Sequence, residues 1–191
     1  MRRTRLPFLA AALLLPARPV PADAPARSQW VLATAKATGQ GGEQFVSSLR
    51  IVNPGAETAN VKVTYLAQSL IDGSNTASGD NTGAATALLT VAGGETLAVE
   101  DVLGTLFGAG LAPFGVPAGG LHVTSDRPVS VLSRTFVANA RSSTGVPGTY
   151  GFSIPAQVED QAVSPGDTAF VSYVAASPDA RSGFRSNFIM L

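Results

Sequence analysis

The chain has 191 residues, no cysteine, and 13 basic side chains matched by 13 acidic ones. This excludes disulfides, thiolate metal centres and cysteine nucleophiles, and no cluster of Lys and Arg outside the N-terminal segment provides the charge that a nucleic-acid backbone requires. The length accommodates one complete domain, which would bury roughly 70% of its unfolded surface, and part of another.

The N-terminus places Arg2, Arg3 and Arg5 before an apolar run, Phe8 to Leu15, that Pro16 ends. That run is far shorter than the ~20 residues that span a bilayer. Small residues at Ala22 and Ala24 suit a signal peptidase, so residues 1–24 read as a signal peptide cleaved after Ala24, with an uncut signal anchor as the competing reading. Its removal takes away Arg2, Arg3, Arg5, Arg18 and Asp23, leaving nine basic and twelve acidic side chains, a net charge of −3. The expected location is secreted or cell surface, with no membrane span once the signal is removed.

Residues 25–29 read as a linker, and residues 30–157 as a β module. Helical periodicity is nearly missing there, and short alternating or β-branched runs recur between clusters of Gly, Pro, Asn and Asp. Strands are predicted at 30–37, 44–52, 60–67, 85–91, 120–125, 129–137 and 149–155, about seven in all, which suits an all-β antiparallel sandwich. In "NVKVTYL" the side chains of Val61, Val63 and Tyr65 share one face, and Lys62 and Thr64 the other. "NPG" at 53–55 ends a strand, and "SDRP" at 125–128 is read as a tight connection between hairpin partners. One short helix is expected in "GETLAVEDVLGTLFG", where Val102, Leu103, Leu106 and Phe107 recur at helical spacing behind Glu100 and Asp101. It would plug an open end of the sandwich.

Residues 158–169 read as a second linker, and residues 170–191 carry an echo of the first hairpin. Trp30 aligns with Phe170 at an offset of 140, and Phe45, Ser47, Ser48 and Leu49 align with Phe184, Ser186, Asn187 and Phe188 at 139. This predicts a C-terminal β-hairpin that begins a second, truncated module of a tandem array; chance likeness between two amphipathic hairpins is the competing account. Such a hairpin is marginal alone and needs a partner edge.

The order "FVSSLRIVNPGAETANVKVTYL", "GGETLAVEDVLGTLFG", "LHVTSDRPVSVLSRTF" and "GTYGFSIPA" resembles an uncharacterised class of immunoglobulin-like β-sandwich modules of secreted bacterial proteins. The resemblance covers residues 30–191 and rests on packing and turn residues. It implies a spacer, surface-display or adhesion role, and no catalytic residue.

Few constellations suggest chemistry. His122, with Asp126 four residues on, could belong to a serine triad, but no G-x-S-x-G elbow accompanies it, and a lone strand histidine is more often structural. Glu100 and Asp101 are explained by a helix start. Asp72, Asn75, Asp80 and Asn81 carry the oxygens that calcium accepts, without the spacing of an EF-hand; turn chemistry is the competing reading. Trp30, Tyr65, Tyr150 and Tyr173 could form a sugar-stacking platform, although strand aromatics usually serve the core. No catalytic, cofactor-binding or metal residue is assigned. The expected function is an exported, non-catalytic structural, adhesion or protein-interaction module, with a protein or cell-surface glycan as partner. The alternatives are a carbohydrate-binding accessory module and a Ser/His hydrolase.

Overall fold

The computed structural model describes residues 24–39, 41–67, 83–108, 118–141, 144–161, 166 and 168. The signal segment, the 71–82 stretch with Asp72, Asn75, Asp80 and Asn81, and the 170–191 hairpin with Tyr173 lie outside them.

The described chain is all-β and antiparallel. It forms β1 (Ala26–Thr38), β2 (Gln44–Val52), β3 (Ala59–Ala67), β4 (Thr86–Val91), β5 (Thr96–Val99), β6 (Ala118–Arg141), β7 (Pro147–Pro155) and β8 (Gln157–Val158). The hydrogen-bonded order is β4-β3-β6-β1-β2-β5, with β7 beside β6, β8 beside β1, and β2 also beside β6. Because β1, β2 and β6 all pair with one another, the sheet curls nearly into a barrel. The first half of β6 lies between β3 and β1, and its second half between β2 and β7. Two sheet regions result: a first region of β4, β3, β6, β1 and β8, and a second of β7, β6, β2 and β5.

The predicted strands are all present, with two corrections and one extension. β1 starts at Ala26, inside the stretch read as a linker, because Gln29 is buried and its Nε2 donates to Val129 O at 2.5 Å. "SDRP" is not a hairpin turn: β6 runs through it as one strand of 24 residues. Between the pairs Ser28↔Thr124 and Ala26↔Val129, β6 holds more residues than β1, so Ser125–Pro128 form a bulge. There the strand bends out of the first region into the second, and exposed Pro128 owes no N–H to a ladder.

The second correction concerns "GETLAVEDVLGTLFG". Its first part is β5, with Leu97 opposite Ile51 and Val99 opposite Leu49 on β2. Only Leu103–Phe107 winds, as a single π-helical turn, and Asp101 Oδ1 accepts from the Gly104 N–H at 2.9 Å. That turn and the residue before it bury Val102, Leu103 and Phe107 in the core. Val31, Leu49, Ile51, Val61, Val63, Leu121, Val123, Val129 and Val131 fill the interior, and Tyr65 leans on Phe107 with its hydroxyl donating to Ala118 O at 2.8 Å. Polar groups inside are paired, as where Ser47 Oγ meets Thr135 Oγ1 at 2.7 Å and accepts the Ala35 N–H at 2.8 Å.

Candidate functional site

Alternation decides which side chains reach the outer face of the first sheet region. Gln29 and Val31 on β1, Leu121 and Val123 on β6, and Val61 and Val63 on β3 are buried. Their neighbours Ser28, Trp30, His122, Thr124, Lys62 and Thr64 therefore stand outward. Register then assembles them: Trp30 pairs with His122, Ser28 with Thr124, and across β6, Thr64 with His122 and Lys62 with Thr124. The Trp30 and His122 rings stack with centroids 3.8 Å apart and planes 4° from parallel. Ser28 Oγ lies 2.9 Å from His122 Nε2, the donor depending on the imidazole tautomer. Burial pushes the His122 pKa below its ordinary value of 6.5; the Glu159 carboxylate pulls it back up, and Lys62 adds to the depression. The imidazole is thus neutral at neutral pH.

A serine hydroxyl against a neutral imidazole supplies two parts of a triad. Asp126, the acid that the sequence offered, is committed elsewhere: its Oδ1 accepts the Asn60 backbone N–H at 2.8 Å and its Oδ2 the Asn60 side-chain amide at 2.7 Å. These bonds hold its carboxyl below the usual carboxylate range. Among the described residues no carboxylate is hydrogen-bonded to His122.

Among the described residues the aromatic platform is not assembled either. Tyr65 is 4% exposed, in the core, and Tyr150 stands on β7 in the second sheet region. Trp30 is stacked on its register partner His122, so one face of its ring is already covered. Glu100 and Asp101 separate, Glu100 to Arg50 at 3.1 Å and Asp101 to Lys36 at 2.5 Å. Among the described residues, no group of three His, Asp or Glu side chains gathers as a metal site, and no helix is long and apolar enough to cross a membrane.

Beside the Trp30–His122 stack, β4, β3 and β6 form an open groove of about 670 Å³. Lys62, Thr124, Asn60 and Asp126 give it polar groups, and Leu88, 81% exposed opposite Lys62, gives it an apolar wall. Neither Ser28 nor Leu88 carries a motif. Alternation within β1 and β4 assigns each a face, but only strand pairing brings them to the same surface.

No known protein family matches the chain, and no curated protein does. A solved structure, the crystal structure of Thermotoga maritima 1070, is similar at 15% identity with a TM-score of 0.46, over 71% of this chain and 96% of that one.

Proposed function

We propose that the chain is an exported, non-catalytic module of immunoglobulin-like kinship whose work is structural or adhesive contact with a protein partner. The observation that carries this reading is the outer face of the first sheet region. There exposed Leu88 borders a groove whose charges, Lys62 and Asp126, sit on paired strands. A rigid surface mixing an exposed aliphatic side chain with both signs of charge suits protein recognition, where an apolar centre supplies affinity and the charged rim supplies register.

The test is retention of the labelled full chain on intact cells of the producing organism. Leu88→Asp should reduce retention at least about tenfold with unchanged melting, and protease treatment of the cells should abolish it. No retention, or retention indifferent to Leu88→Asp, refutes the reading. Retention that survives protease and yields to glycosidase favours the carbohydrate-binding alternative. The hydrolase alternative has the Ser28–His122 contact in its favour and is tested in the Discussion.

A further inference from the structure

The inner face of the second sheet region is unevenly covered. On β6, Val137 and Thr135 are 2% and 6% exposed, whereas their direct partners on β7, Tyr150 and Phe152, are 60% and 59% exposed. Partners across a ladder share one face, so the layer that covers β6 stops short of β7. Among the described residues β7 pairs with β6 alone. A nine-residue edge strand with two open aromatics on its core side invites another strand.

We infer that residues 184–190 of the same chain add to the edge of β7 away from β6 as the next antiparallel strand. Their sequence resembles that of β2, which already lies in this region, in its alternation, with Phe45/Phe184 and Ser47/Ser186 identical. Phe45, Ser47, Leu49 and Ile51 form the inward face of β2, and Phe184, Ser186, Phe188 and Met190 take the same places at an offset of 139. By the period of two, those side chains would continue the row of Tyr150 and Phe152, leaving Arg185 and Asn187 to solvent. The tether permits it: the 24 residues from Gln161 to Arg185 reach about 80 Å at ~3.3 Å each, more than twice the ~30 Å width of a small domain. The tether also favours the same chain over a second copy, because a flexible link gives an effective concentration near ~1 mM, far above a micromolar solution of free partner. This edge is separate from the Leu88 groove, so the two readings fail independently.

The chain has no cysteine, so disulfide trapping is clean. Ser153→Cys, on the outward face of β7, is combined in turn with Arg185→Cys, Asn187→Cys and Ile189→Cys, and with Ser186→Cys and Phe188→Cys as opposite-face controls. Oxidation at micromolar concentration should give an intramolecular disulfide in at least one same-face pair, in yield at least about fivefold above both controls. Equal yields across the two faces, no cross-link, or a disulfide-linked dimer would each overturn the inference. Hydrogen exchange of the unaltered full chain provides a check that needs no substitution. Every amide from Thr149 to Ser153 should exchange at least about a hundredfold more slowly than an unstructured chain, and free exchange at alternate positions would overturn it.

Discussion

Replacing Asn53 should destabilise the fold more than any other single polar substitution in a turn. It is 0% exposed and ties three segments together. Its Nδ2 donates to Glu57 O at 2.7 Å and to Val91 O at 2.9 Å, and its Oδ1 accepts the Gly55 N–H at 3.0 Å. Its own backbone binds the β4–β5 turn, donating to Glu95 O and accepting from Gly94 N, both at 3.0 Å. Asn53→Ala deletes the three side-chain bonds, each contributing about 1 kcal/mol. The expected loss is about 3 kcal/mol, a large part of the ~5–15 kcal/mol that holds a typical domain. Urea unfolding of the two proteins should show a lower midpoint with the same slope. Asn53→Asp keeps the shape and the acceptor but sets an anion against two carbonyl oxygens, so at pH 7 it should lose at least as much. A loss under about 1 kcal/mol in Asn53→Ala, or an Asn53→Asp variant as stable as the parent, would refute the reasoning.

Gly93→Ala should cost about 2 kcal/mol or more, because an added methyl would collide with the Ala56 backbone, whereas Gly148→Ala, facing open space, should stay within about 0.5 kcal/mol; thermal melts compare the two. Tyr65→Phe removes the hydroxyl bond to Ala118 O and should lower stability by about 1 kcal/mol in the same assay. Folding depresses the His122 pKa, so as pH falls through the ordinary value of 6.5 the unfolded chain binds the proton more readily and stability is lost; above that value both states are neutral and the effect vanishes. The melting temperature should therefore fall further between about pH 7.5 and pH 5 in the parent than in His122→Gln, and equal falls would contradict the assignment. For the hydrolase alternative, the parent and His122→Ala should release nitrophenol from p-nitrophenyl acetate at the same rate; a drop of about tenfold or more in a folded variant would establish catalysis and overturn the non-catalytic reading.

Local pattern was enough to determine most of the strands and their inward faces. The alternation in "NVKVTYL" predicted Val61, Val63 and Tyr65 inside, and they are 1%, 0% and 4% exposed. The burial of Val102, Leu103 and Phe107 was legible for the same reason, since their spacing specifies one apolar face whatever the length of the helix. Tertiary structure decided where the chain bends and what stands beside what. Ser125–Pro128 has turn chemistry, yet Asp126 bonds to Asn60 on β3 and the ladder on either side continues, so the segment resolves as a bulge. Thr96–Val99 could wind, but the open edge of β2 offers its backbone a ladder, and Leu97 and Val99 pack across from Ile51 and Leu49. Ser28 and His122 are 94 residues apart and meet because β1 and β6 share a register. The physical division is one of range: side-chain periodicity acts over a few residues and selects a face, while the hydrogen-bond partner of an extended strand comes from anywhere in the chain and exists only once the sheet has assembled.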